Sequence, residues 1–159
     1  MEKTYKLDYK SPIGIIEIVG TEKAIISILF SDKEKAEQVT APPILIECST
    51  QLDEYFKGLR HEFTFPYQWE GTDFQKRVWS TLTTIRYAET ASYKDIAIAI
   101  NNEKAIRAVG SANGKNKLSI IVPCHRIIGS NGTLTGYAGG LWRKEWLLNH
   151  EQSMKKSRS

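Results

Sequence analysis

Cysteine is nearly absent from this chain, with two in 159 residues. Cys48 and Cys124 cannot build a disulfide framework, and they do not stand at zinc-like spacing with the three histidines. Long apolar runs are missing too. Nothing approaches the roughly 20 residues of a membrane span, and the opening MEKTYKLDYKSP has no apolar signal core. These absences predict a soluble, cytoplasmic protein with no membrane association. What remains is ordinary globular composition, 41% hydrophobic and 25% charged, in a chain long enough for one or two small domains. No internal repeat is present.

The net charge of +4 conceals an asymmetry. Residues 1–71 carry 8 Lys/Arg against 12 Asp/Glu, a balance of −4, whereas residues 72–159 carry 14 against 6, a balance of +8. A basic second half points that half toward a polyanion, although many solvated surfaces are equally basic.

The first 30 residues read as β structure. TYKLDY alternates, SPIG turns, and IGIIEIV and AIISILF are β-branched apolar runs. SDKEKAEQ predicts a short helix. Pro42 and Pro43 precede a helix over 44–58, in which Ile44, Cys48, Leu52 and Phe56 share one face, so Cys48 reads as core. HEFTF predicts another strand. In the second half, Thr72 with Gln75 and Ser92 with Asp95 are capping-box patterns opening helices. KAIRAVGSANG continues as a third helix, giving a helix-turn-helix pattern. LSIIV predicts a short buried strand, and a glycine-rich loop leads to a last helix, LWRKEWLLNHE.

Two features carry chemistry. The helix over 104–113 presents Ala105, Ala108, Gly110, Ser111 and Ala112, with Arg107 rising from a low surface among Lys104, Lys115 and Lys117. Alanines are also simply good helix formers; the sharper reading is a helix that neutralises phosphates and inserts an arginine into a duplex. The second feature is Cys124 in LSIIVPCHRIIG. A lone cysteine after an apolar run is usually core. Pro123 ends the run, however, and His125 and Arg126 are poor core neighbours that favour the nucleophilic thiolate.

VPCHRIIGSNGTLTGYAGGLWRKEWLLNHE resembles the active-site region of the O6-alkylguanine-DNA alkyltransferases. The likeness continues upstream through FQKRVWSTLTTI, ETASYKDIA and AIRAVGSANGKN, covering roughly residues 72–151, while the first half matches in style only. The resemblance implies an α+β protein. An N-terminal β-sheet domain with a flanking helix, ribonuclease-H-like, would occupy 1–70. A C-terminal helical domain of winged helix-turn-helix type, over 71–151, would carry the active site; the polar, basic composition of QSMKKSRS predicts a disordered tail over 152–159.

It also implies irreversible alkyl transfer from O6-alkylguanine in duplex DNA to Cys124, once per molecule, after base flipping. O4-methylthymine is left open as a second substrate. His125 would take the thiol proton through a water, Glu151 would hold the histidine, and Asn116 would tie the active-site turn to the recognition helix. Tyr93 would donate toward the leaving base. Arg107 would fill the vacated space from the minor groove, with Asn102, Ala108, Ser111, Arg126 and Ser130 also at the DNA. Tyr137, Ala138, Gly139 and Gly140 would wall the base pocket, closed by Lys144. With no cysteine in the first 47 residues, the structural zinc of some relatives is not expected, and no cofactor is implied. Ala138 stands where some relatives have serine. The implied partner is alkylated double-stranded DNA, met by a monomer without an obligate protein partner. A plain helix-turn-helix regulator and a thiol hydrolase remain the competing readings of the residues; the first leaves PCHR and Glu151 without purpose, the second the small-faced basic helix.

Overall fold

The computed structural model describes residues 2–37 and 39–157. The chain divides into two compact units, Met1–Trp69 and Glu70–Ser159.

The first unit is built on an antiparallel meander of β1 (Tyr5–Ser11), β2 (Gly14–Gly20) and β3 (Ile25–Ser31), with β2 in the middle. The β1–β2 turn is two residues long and is clamped by Ser11, whose Oγ donates to Gly14 O and accepts from Ile13 N. Gly14 there has φ 116, open to glycine without strain. Helix α1 (Pro43–Phe56) starts with a proline in its first turn, where no amide donor is required. It buries Leu45, Cys48, Leu52 and Tyr55 in a core shared with Ile16, Ile18, Ile25 and Ile28. Cys48 is a packed core residue, and burial pushes its thiol far up.

Two expectations fail in this unit. SDKEKAE is not helical: Asp8 reaches across to accept from Lys33 Nζ and from the backbone N–H of Glu37, holding the segment in an irregular path. The final glutamine of that stretch, Gln38, lies outside the described residues. HEFTF forms no strand either. Gln51 of α1 occupies Thr64 instead, accepting from its N–H and donating to its hydroxyl. The pairing moves downstream, where Ile25 N–H donates to Pro66 O and Gln68 N–H donates to Ile25 O.

The second unit begins with α2 (Asp73–Leu82) and α3 (Tyr93–Ala99), separated by the two-residue strand β4 (Ala91–Ser92). Both helices open on reciprocal capping boxes: Thr72 with Gln75, and Ser92 with Asp95. After α3, Asn101 at φ 59 turns the chain, asparagine being among the residues that tolerate this region. A 3-10 turn at Glu103–Ala105 then runs into α4 (Ile106–Gly114). Trp79 Nε1 donates to Ala112 O at 2.8 Å and Arg77 Nη2 to Ile100 O at 2.6 Å, so α2 holds both halves of the helix-turn-helix.

LSIIV is buried as expected but is a turn rather than a strand. Ile121 N–H donates to Ser119 O and Val122 N–H to Leu118 O, with Ile120 at φ 73. The apolar residues satisfy the core equally well in either conformation, and the polar side chain of Asn116 selects the turn. The chain then reaches a 3-10 turn at Cys124–Arg126 and β5 (Ile127–Ile128), which pairs in parallel with β4.

The last helix, α5, spans Leu141–Ser157. The disordered tail expected from 152 is therefore helical through 157, and residues 158–159 lie outside the described residues. Gln, Met and Lys are good helix formers, and Gln152 anchors the extension by donating to Ala88 O. Among the described residues no helix is long and apolar enough to cross a membrane.

Candidate active site

The turn that replaces the expected strand carries the candidate nucleophile. Asn116, just past α4, accepts from Leu118 N–H at 3.0 Å through Oδ1. Its Nδ2 faces Val122 O at 3.0 Å, Leu118 O at 3.3 Å and Cys124 Sγ at 3.3 Å. One buried amide thus shapes the loop and touches the sulfur. Asn113, one turn earlier on α4, donates to Cys124 O. Sequence reading singled out Asn116 and missed Asn113, whose spacing from Asn116 was the available signal.

Cys124 is 4% exposed. Burial pushes its thiol up, opposed by the Asn116 hydrogen bond and by the positive charge of Lys144. This differs from the expectation that neighbouring His125 and Arg126 promote the thiolate, since both side chains turn away to Glu151.

Glu151 of α5 is wholly buried and accepts hydrogen bonds from His125, Arg126 and Ala88. His125 Nε2 lies 2.7 Å from Oε2, Arg126 Nε 2.9 Å from Oε1, Arg126 Nη2 3.0 Å from Oε2, and Ala88 N 3.1 Å from Oε1. Burial alone would raise this carboxyl, but His125 and Arg126 outweigh it and hold Glu151 well below the usual carboxylate range. Burial depresses His125 against the pull of Glu151, so the ring is neutral near pH 7. A carboxylate only accepts, so the ring's hydrogen sits on Nε2 and Nδ1 keeps a free lone pair. That Nδ1 is buried with no hydrogen-bond partner among the described residues.

Arg126 requires a correction. It is expected at the DNA, yet it is 6% exposed and fully engaged. Beyond its fork on Glu151, Nη1 donates to Ile85 O at 2.7 Å, and the guanidinium lies over the Tyr87 ring. Its geometry makes it the clamp of Glu151.

Lys144 is also fully buried, held by Thr135, whose carbonyl accepts from Nζ at 3.1 Å and whose hydroxyl accepts at 3.3 Å. Burial lowers its pKa to about 8, with Cys124 pulling the other way. Tyr93 joins the same group through a 2.5 Å hydrogen bond between its hydroxyl and Thr135 Oγ1. Thr135 was not legible as a site residue, because it is one of several polar residues in a glycine-rich loop. Tyr137 is half-buried with its hydroxyl enclosed, Gly139 is half-buried, and Ala138 is exposed. Gly140 turns the loop at φ 94, and Arg143 Nη1 donates to Gly139 O.

Asn102, Arg107, Ala108 and Ser111 are all exposed around α4 and its entry, as is Ser130 on the following loop. The small residues leave a shallow surface from which Arg107 projects. Among the described residues no cluster of three or more His, Cys, Asp or Glu groups could hold a metal ion.

Comparisons with known proteins agree on one family. The model described as the DNA binding domain of 6-O-methylguanine DNA methyltransferase matches residues 73–153, and the ribonuclease-like domain of the same family matches 4–68. A methylated-DNA–protein-cysteine methyltransferase of Methanosarcina barkeri is 46% identical over 91% of this chain and 94% of its own length. The constitutive one of Bacillus subtilis is 41% identical over 93% of this chain and 95% of its own. Among solved structures, the O6-methylguanine methyltransferase of Mycobacterium tuberculosis superposes with a TM-score of 0.85 at 40% identity, covering 96% of this chain and 94% of that one. A complex of the Mycobacterium tuberculosis OGT protein with DNA gives 0.84 at 43%, covering 92% of each.

Proposed function

The chain belongs to the 6-O-methylguanine DNA methyltransferase family, and from that premise we infer how its own residues carry out the reaction. The protein binds DNA and repairs it by transferring an alkyl group to a cysteine of its own. We propose Cys124 as that cysteine, in a DNA-binding and catalytic region over 71–151, with 1–70 a separate N-terminal domain.

The thiol enters the reaction protonated, because burial favours the neutral form. Its proton leaves to His125 Nδ1 through one water, while Glu151 fixes the tautomer from the other side of the ring. The sulfur attacks the alkyl carbon; the S–C bond forms as the C–O6 bond breaks. The electron pair passes to guanine, which takes a proton from the Tyr93 hydroxyl; His125 then releases the thiol proton to solvent and Tyr93 regains one from it, so the net proton transfer is from thiol to base. The product is a thioether, which water does not reverse, so each molecule reacts once. The observation that carries this reading is the buried His125–Glu151 pair, one residue from a Cys124 whose sulfur meets Asn116: a base and its orienter next to a nucleophile.

The target atom lies inside the stack, so the nucleotide must be flipped, at a cost of about a few kcal/mol. Arg107 fills the gap, and the shallow face of α4 suits the narrow minor groove, about 6 Å wide. Asn102, Ala108, Ser111 and Ser130 line the DNA surface. Tyr137, Ala138 and Gly139 enclose the base. The protein acts as a cytoplasmic monomer without an obligate partner.

The test is intact-protein mass spectrometry after incubation with a short duplex carrying one O6-methylguanine. The expected result is one added methyl per chain, mapped to Cys124, with none on a Cys124→Ala variant that still binds the duplex. Tight binding without mass gain would remove the catalytic roles given to Cys124, His125 and Glu151.

A further inference from the structure

Thr135 stands between two groups of different character. On one side is the Lys144 ammonium, which can only donate; on the other is the Tyr93 hydroxyl, which can do either. Lys144 Nζ lies 3.3 Å from Thr135 Oγ1 and 3.1 Å from its carbonyl, and Tyr93 Oη lies 2.5 Å from the same Oγ1. All three come from different parts of the chain: α3, the loop after β5, and α5.

The direction of the Tyr93–Thr135 hydrogen bond decides what Tyr93 can do. If Tyr93 donates to Thr135, its only hydrogen is occupied and it cannot deliver a proton elsewhere. If Thr135 donates, the Tyr93 hydrogen is free. An oxygen that accepts from an ammonium has its lone pairs drawn toward that charge, and its own O–H becomes a better donor. We propose that Thr135 is a positioning residue, oriented by Lys144, that donates to Tyr93 Oη and so leaves the Tyr93 hydrogen free for the departing base.

This rests on the proton-donating role assigned to Tyr93 above and adds the device that directs it. As the C–O6 bond breaks, Tyr93 gives its proton to the base. The charge left on its oxygen is met by the Thr135 hydroxyl, with the buried Lys144 cation behind it. Tyr93 regains a proton from solvent once the base has left. The relay also gives the burial of Lys144 a purpose, since a lysine at 0% exposure is otherwise costly to hold.

The experiment is a double-mutant cycle on single-turnover methyl transfer from an O6-methylguanine duplex, read by quenched-flow mass spectrometry of the full chain. Thr135→Val keeps the shape of the side chain and leaves Lys144 its bond to the Thr135 carbonyl. It is expected to slow transfer by about 10- to 100-fold, the rate equivalent of one hydrogen bond to a developing charge. Thr135→Ser, which keeps the hydroxyl, is expected to remain within about threefold of the parent. In a Tyr93→Phe background, Thr135→Val is expected to cost nothing further, because Thr135 acts only through the phenol.

Equal slowing by Thr135→Val in both backgrounds would show a purely structural contribution and overturn the proposal. Unchanged or faster transfer by Thr135→Val alone would also overturn it, since Tyr93 would then have been the donor to Thr135. Failure of the parent chain itself to alkylate Cys124 would instead overturn the functional reading on which the proposal rests.

Discussion

Replacing Arg126 with leucine isolates the arginine from which Glu151 takes two of its hydrogen bonds. In the parent, the guanidinium fork meets Glu151 at 2.9 and 3.0 Å, and a third bond reaches Ile85 O at 2.7 Å. Leucine fills part of the volume but leaves a carboxylate at 0% exposure without its guanidinium, beside His125 and the Ala88 amide. Removing one partner of a buried ion pair typically costs about 3–5 kcal/mol, a large share of the roughly 5–15 kcal/mol that holds a domain together.

The loss depends on pH, and the sign follows from the depressed pKa of Glu151. In the parent, this carboxylate contributes stability that is complete above the unfolded carboxyl value, about 4.3, and is lost as pH falls through the lower folded value. In the variant, the folded pKa rises, and protonation relieves the uncompensated charge. The stability gap between parent and Arg126→Leu is therefore widest near neutral pH and narrows as pH drops to about 4, below the unfolded carboxyl value. Urea denaturation at the two pH values measures it. Adding Glu151→Gln should recover a large part of the loss at neutral pH, because the buried charge is then gone. A gap under about 1 kcal/mol, or one that is the same at both pH values, would refute the clamp. Transfer should slow as well, since an unbalanced Glu151 draws a proton onto His125 and occupies the lone pair that takes the thiol proton.

Arg107→Ala should slow repair of duplex DNA far more than reaction with free O6-benzylguanine, since only the duplex requires flipping; equal slowing in paired single-turnover assays would remove the intercalating role. Truncation after Glu151 should lower the melting temperature, because Gln152 no longer holds Ala88 O, at a cost of about 1 kcal/mol for the lost bond; an unchanged calorimetric transition would show that the helical extension contributes nothing. Trp79→Phe removes the indole donor from the Ala112 carbonyl, which keeps its bond from the Lys115 N–H, and should cost about 1 kcal/mol in denaturant titration; an unchanged midpoint would show that the indole bond contributes nothing.

The features legible in the sequence are those written in neighbouring residues. The two capping boxes need only a spacing of three, and they place the starts of α2 and α3 where the sequence predicts them. The β meander follows from alternating β-branched runs and a short turn. The likeness to alkyltransferases rests on a contiguous stretch, so the residues worth examining could be named by number. Errors arose where one pattern fits two conformations. LSIIV is as well buried in a turn as in a strand, and HEFTF alternates yet has Thr64 taken by Gln51 of α1, so the pairing with β3 falls downstream of it. SDKEKAE has helical composition, yet Asp8, far away in sequence, holds it otherwise.

Composition and order of residues by themselves determined a two-part α+β chain with a basic second half, a helix-turn-helix and a cysteine set apart by proline, histidine and arginine. Only the tertiary structure decided which way those side chains face. It turned Arg126 inward onto Glu151, joined Ala88 to α5, placed Asn113 behind Cys124, and brought Tyr93, Thr135 and Lys144 into one hydrogen-bonded line. The physical reason is direction. A sequence states which charges and hydroxyls exist, but a buried charge must find its partner across the fold, and that partner is chosen by packing rather than by proximity along the chain.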